Sequence, residues 1–214
     1  MLSLARRDGV AVVTLDNPPV NALSQAVRAS LVNMAEQLDH DDSVRAVVLT
    51  CAGRTFIAGA DVNEFGKPPQ PPHLPDVIHR IEAAAKPWVA AINGAALGGG
   101  LEVALGCAGR VAVAGAQFGL PEVTLGIVPG AGGTTRTPRL VGVEKAVELV
   151  TGGKPVKAAA AKAMGLIDAV IEGDLVEGAV AFAARLADAP RPIPIEQRAV
   201  TSMPETFWAE KREA

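Results

Sequence analysis

The chain has 214 residues, with 20 Lys or Arg against 23 Asp or Glu, so its formal net charge is −3; 49% of residues are apolar and 20% charged. This mixed, apolar-rich composition excludes a disordered chain. An aromatic content of 3% with no Tyr, and no basic block, argues against a nucleic-acid surface. A chain this long buries roughly 70% of its unfolded surface, so one sizeable core of Ala, Val, Leu and Gly is expected.

Val10 to Leu15 is a β-branched run bounded by Gly9 and by Asp16-Asn17-Pro18-Pro19, which predicts a strand ending in a turn. Ser24 suits the N-cap of a helix reaching about Leu38, because Val27, Leu31, Met34 and Leu38 recur at helical spacing. Val44 to Thr50 predicts a second strand, apolar on both faces as a covered parallel strand is. Lys67 to Pro75 holds five prolines and predicts an exposed, irregular loop. Pro87 to Ile92 predicts a third strand, with Asn93-Gly94 as the turn after it. Helical patterns return at Glu144–Val150, Lys157–Ala163 and Leu175–Ala187, with a short apolar segment at Leu166–Ile171. Strands alternating with helices predict an α/β protein. The expected organisation is a core domain over residues 1–190 and a C-terminal arm or truncated linker over 191–214, where three prolines and many charges leave no apolar stripe.

Cys51 and Cys107, both in apolar surroundings, are expected as reduced buried thiols. Arg6, Arg7 and Asp8 interrupt the N-terminus before any signal-like apolar run. The stretch between Lys86 and Arg110 has no positive charge, but Asn93, Glu102 and many glycines make it a poor membrane span. A soluble, cytoplasmic protein without membrane or nucleic-acid partners is expected. His40, His73 and His79 are scattered in polar segments, which predicts no metal site. Gly153-Lys154 lacks the other residues of a phosphate loop, since Glu148 and Pro155 stand where Gly and Ser or Thr are needed. Gly130 to Thr135 lacks the last glycine of a dinucleotide fingerprint. No G-x-S-x-G occurs, and none of the five serines has a base beside it in sequence.

Two stretches of small residues remain: Phe56-Ile57-Ala58-Gly59-Ala60-Asp61 and Gly94-Ala95-Ala96-Leu97-Gly98-Gly99-Gly100-Leu101-Glu102. Each follows a predicted strand and leaves backbone N–H groups uncovered. In the second, Gly99 and Gly100 would open a helix whose orphan N–H groups favour negative charge. Two such donors on one oxygen would form an oxyanion hole; on spacing alone, two tight turns with packing glycines fit as well. Glu102 in one apolar run and Glu122 in another tip the balance, because a buried carboxyl has a raised pKa suited to proton transfer.

Here the chain resembles the crotonase (enoyl-CoA hydratase/isomerase) superfamily. The matching stretches are Ala58 to Asp61, Asn93 to Glu102, and Gln117 to Thr134, within a resemblance covering about residues 8 to 190. Asn17 to Leu23, Gly-Leu-Glu at 100–102 and Leu-Pro-Glu at 120–122 look most like the hydratase/isomerase part of multifunctional β-oxidation enzymes. The resemblance implies a spiral of ββα turns with two roughly perpendicular sheets, flanked by helices. It implies an enoyl-CoA hydratase that adds water to a trans-2-enoyl-CoA, with Δ3-Δ2-enoyl-CoA isomerase activity as a second capability. It places the thioester oxygen on the N–H groups of Ala60 and Gly99, and water between Glu102 and Glu122. Val20, Ala22, Ala58, Asp61 and Val62 fall where the family binds coenzyme A, and Gly130 near the acyl group. Coenzyme A is then part of the substrate, and with no dehydrogenase segment present NAD is not expected as a cofactor. The implied assembly is a homotrimer or a place in a larger multifunctional chain.

Hydration needs a nucleophile at Cβ and a proton at Cα while enolate charge gathers on the thioester oxygen, which preorganised N–H donors stabilise. Glu102 is assigned to deprotonate the water and Glu122 to protonate Cα, although sequence does not order the two. Asn63 stands where many relatives carry a basic residue, and Thr135 and Thr137 replace common Gln and Leu positions beside Arg136. Other crotonase-type reactions, isomerisation or thioester hydrolysis among them, and a non-catalytic RNA-binding module on the same fold are the alternatives.

Overall fold

The computed structural model describes residues 1–64 and 66–213; Ala214, the last residue of the expected C-terminal arm, lies outside them. Strand β1 (Leu2–Arg7) and strand β2 (Val10–Leu15) form an antiparallel hairpin. Asp8 and Gly9 turn it with positive φ of 50° and 77°, the geometry a two-residue loop needs to match strand twist. Helix α1 (Gln25–Asp39) follows the cap at Ser24, whose hydroxyl accepts from Val27 N at 3.4 Å. Three pairs of strands then each lead into helical structure. Strands β3 (Ala46–Cys51) and β4 (Thr55–Ile57) precede α2 (Leu74–Glu82). Strands β5 (Trp88–Ile92) and β6 (Ala95–Leu97) precede α3 (Gly99–Gly106). Strands β7 (Gly109–Val113) and β8 (Gln117–Gly119) precede a 3-10 turn at Pro121–Leu125 and then α4 (Gly133–Val141). The chain finishes with α5 (Val143–Gly152), β9 (Val156–Lys157), α6 (Ala158–Ala163), β10 (Ala169–Ile171), α7 (Leu175–Asp188) and, after a 3-10 turn at Ile195–Gln197, α8 (Glu205–Glu213).

The first strand of each pair joins a six-stranded sheet of order β1-β2-β3-β5-β7-β10, and the second joins a four-stranded sheet of order β4-β6-β8-β9. This alternation is the ββα spiral implied by the resemblance. Pairing is parallel from β2 to β10 and from β4 to β8, with antiparallel strands only at the β1 and β9 edges. The central strands β2, β3 and β5 of the large sheet are buried on both faces, which explains why they read as continuous apolar runs. Ala11, Val13, Val47, Leu49 and Ala90 point into the main core with α1, α2 and α3. Val10, Val12, Val48, Val89 and Val111 point the other way, under Ala179, Val180 and Ala183 of α7.

Several expected boundaries shift. The expected loop at 67–75 gives way to α2 at Leu74, since Pro75 fits a first helical turn where its missing N–H would have no partner anyway. The expected segment Leu166–Ile171 forms a strand only over Ala169–Ile171. Within residues 191–213, Ile195 is buried and α8 is helical. Cys51 and Cys107 are free and buried, and burial pushes the Cys107 thiol up to about 12. Among the described residues no helix is long and apolar enough to cross a membrane.

Candidate active site

The turn after β4 and the start of α3 meet at their backbones. Leu23 N donates to Gly59 O at 3.0 Å and bridges to Ala60, which fixes the Ala58–Ala60 turn against the entry to α1. Gly98 N donates to Gly119 O at 2.9 Å, and Glu102 N closes the first turn of α3 on Gly98 O at 3.0 Å. A Cβ on Gly99 would lie 3.7 Å from Ala60 N and 2.7 Å from Leu74 Cδ2, so a side chain here would crowd this junction. Among the described residues the N–H groups of Ala60 and Gly99 have no acceptor. Gly99 is the first residue of α3, so its N–H is one of the orphans every helix start leaves.

Glu102 sits one turn into α3 and is 3% exposed. Its Oε1 accepts from Ala131 N at 2.7 Å and from Gly133 N at 2.8 Å, the latter at the start of α4. Burial raises its pKa above the usual carboxylate range, opposed by those two N–H bonds and by the charge of Arg136. Glu122 lies in the 3-10 turn after β8. Its Oε2 is buried without a hydrogen-bond partner, and its Oε1 is 3.0 Å from where a Cβ on Gly98 would stand. Burial raises its pKa too, and the nearby charge of Glu102 pushes the same way.

One cleft of about 370 Å³ is lined by Ala60, Gly99, Glu102 and Glu122 together, and Ala58, Val62 and Gly130 also line it. Leu125, Ile127 and Val128 give it an apolar side. Asp61 lines a neighbouring cavity that shares Ala60, Leu125 and Ile127 with the first. Val20 and Ala22 line neither cavity. Val20 O instead accepts from Ala58 N at 3.1 Å, and Ala22 O from Asn17 Nδ2 at 2.9 Å, so this segment backs the Ala58–Ala60 turn. Such an arrangement can hold an oxygen on two amides with two proton-accepting groups beside it. Ala131 and Gly133, which fix Glu102, went unnoticed in the sequence as its anchor; the only sign of them was the glycine-rich run itself.

The chain matches the family model described as Enoyl-CoA hydratase/isomerase over residues 5–204. It is 49% identical over 181 residues to the peroxisomal bifunctional enzyme of Danio rerio, covering 85% of this chain and 25% of that one. It is 43% identical over 196 residues to a probable enoyl-CoA hydratase of Bacillus subtilis, covering 87% and 76%. The crystal structure of an enoyl-CoA hydratase from Bacillus anthracis superposes with a TM-score of 0.82 at 37% identity, covering 88% of this chain and 77% of that one. The chain thus spans about a quarter of the length of the zebrafish enzyme. The cytoplasmic expectation is corrected here: the matched animal and plant relatives are named as peroxisomal or glyoxysomal enzymes, and nothing in the fold specifies the cytoplasm.

Proposed function

The chain belongs to the enoyl-CoA hydratase/isomerase family, and on that premise we propose that it adds water across the double bond of a trans-2-enoyl-CoA to give a 3-hydroxyacyl-CoA in β-oxidation. The observation that carries this reading is one cleft lined by Ala60 and Gly99, whose amides have no acceptor among the described residues, together with Glu102 and Glu122. The thioester oxygen takes the two amides, and enolate charge forming there is worth about 2.7–4 kcal/mol per donor in the transition state. Burial raises the Glu102 pKa, opposed by the two N–H groups that fix one of its oxygens and by the charge of Arg136, so Glu102 is held in place as a stronger proton acceptor than a free carboxylate. It takes the proton from water as the oxygen bonds to Cβ. Glu122, partly buried near the charge of Glu102 and with its buried Oε2 lacking a partner among the described residues, is disposed to hold a proton and deliver it to Cα.

Ala58, Asp61 and Val62 are proposed to meet the coenzyme A part of the substrate and Gly130 the acyl part, with Val20 and Ala22 supporting the turn from behind. Coenzyme A enters as substrate and no NAD is needed. Similarity to one quarter of a bifunctional enzyme supports a place in a multifunctional chain; a homotrimer is the other implied assembly, and sedimentation separates them. The unpaired Glu122 oxygen also suits a double-bond shift from Cβ–Cγ to Cα–Cβ.

The test is hydration of crotonyl-CoA, followed by loss of the enoyl thioester chromophore, with a 3-enoyl-CoA and a saturated acyl-CoA as companions. Hydration should dominate, and Glu102→Gln and Glu122→Gln should each lower kcat by about 10²–10⁴-fold while remaining folded. Thioester hydrolysis without hydration, or wild-type turnover in either variant, would overturn the reading.

A further inference from the structure

We propose that Arg136, gripped by Glu82 of α2 and by Glu196 of the segment after α7, is a positioning residue that presses the Ala131–Gly133 loop onto Glu102. This rests on the reading of Glu102 as the group that activates water. Arg136 is 1% exposed, and its guanidinium is used on every side. Nε donates to Glu82 Oε1 at 3.2 Å, and Nη2 donates to Glu82 Oε2 at 2.5 Å and Glu196 Oε2 at 2.7 Å. Nη1 donates to Ala131 O at 3.4 Å. Ala131 therefore faces both ways, giving its N–H to Glu102 and its carbonyl to Arg136. A Cβ on Gly132 would lie 2.1 Å from Arg136 Nη1, and Gly132 has φ of 101°, so glycine is what lets the guanidinium lie against the loop.

The clamp ties the site to residues expected to lie outside the core. Arg191 donates to the carbonyls of Glu82 and Ala84 at the end of α2, and Glu196 N donates to Glu82 Oε1 at 3.5 Å. The buried side chain of Ile195 is the apolar part of the same attachment. A buried arginine held by two carboxylates is a poor route to stability, because desolvation offsets most of the attraction. Retaining it beside the glycine loop fits orientation. A fork of fixed N–H groups sets a loop position that a lysine ammonium does not. Displacing a reacting group by about 1 Å costs up to about 10²-fold in rate.

The charges facing Glu102 are Arg136 and Glu122; those facing Arg136 are Glu82 and Glu196, with His79 Nε2 3.4 Å from Glu196 Oε2. The experiment compares the full chain with Glu196→Ala, Arg136→Gln and Arg136→Lys, and with Val180→Ala on α7 as a destabilised control away from the site. Amide exchange at Ala131 and Gly133 and carboxyl titration of Glu102 are read by NMR, and crotonyl-CoA hydration by kinetics. Glu196→Ala should speed exchange at both amides and lower kcat by about 10- to 100-fold with KM within about twofold of wild type. Arg136→Gln should also raise the titration midpoint of Glu102 and shift the acidic limb of the rate profile the same way. Arg136→Lys should restore the titration but not the amide protection. Unchanged exchange and titration in the first two variants would overturn the clamp, as would the same changes in Val180→Ala. Responsive amides in a chain that does not hydrate crotonyl-CoA support the clamp and sink the hydratase reading instead. Should Arg136→Gln fail to fold, Glu196→Ala, at a half-exposed position, still decides.

Discussion

Replacing Glu102 by Gln should remove activity while leaving the fold at least as stable at neutral pH. The side-chain carbonyl of Gln can still accept from Ala131 N and Gly133 N, which Glu102 Oε1 now holds at 2.7 and 2.8 Å. The loss is the proton acceptor, and kcat should fall by about 10²–10⁴-fold. Because burial raises the Glu102 pKa in the fold, the native chain binds its proton more tightly than the unfolded chain does. Stability from the protonated form is full below the unfolded value and is lost as pH rises through the folded value. Each pH unit of that shift is worth about 1.4 kcal/mol. Gln, uncharged throughout, escapes this loss, so its melting temperature should equal or exceed wild type at pH 7 and converge with it toward pH 4. Glu102→Ala separates charge from anchoring. It leaves two buried N–H donors unpaired, at about 1–3 kcal/mol each, and should melt roughly 5–20 °C lower in a chain of this size. Thermal melts across pH with parallel hydration assays decide the matter. A Gln variant that melts well below wild type at pH 7, or that turns over normally, would refute this account.

A Cβ on Gly100 would stand 2.1 Å from Ile57 O of β4, a backbone collision no rotamer relieves. Gly100→Ala should therefore cost about 1–3 kcal/mol or more, read as a lower melting temperature with weakened hydration, because β4 leads into the Ala60 turn. Burial keeps both thiols protonated, Cys107 with a pKa near 12, so the native chain should resist a disulfide thiol reagent at about pH 8. Both cysteines should react once denaturant unfolds it; rapid native labelling would contradict their burial.

What could be read from the chain was set by neighbours a few residues apart. The runs that became β2, β3 and β5 were visible because both faces are covered, and Ser24 and Gly99 marked helix starts through chemistry confined to one turn. Elements whose cause lies elsewhere were not legible. Strand β1 is mostly exposed; Leu2 and Leu4 turn toward the core, but Arg6 and Arg7 cut that alternation short, although Asp8-Gly9 was a usable hairpin sign. Strands β4, β6 and β8 have three residues each and form only because β3, β5 and β7 deliver the chain to a second sheet. Helix α4 contains three threonines, a glycine and Pro138, and its local propensity argues against it. At the site, small residues and two carboxyls in apolar runs suggested an oxyanion chemistry, and family resemblance supplied their roles. Local composition and spacing were enough to mark which segments could bury their faces and where bare amides and acids were available. It took the folded chain to bring Glu102 to amides 29 and 31 residues away, and Arg136 to carboxylates 54 and 60 away. Burial and long-range contact set those charges, and neither is a property of any local stretch of chain.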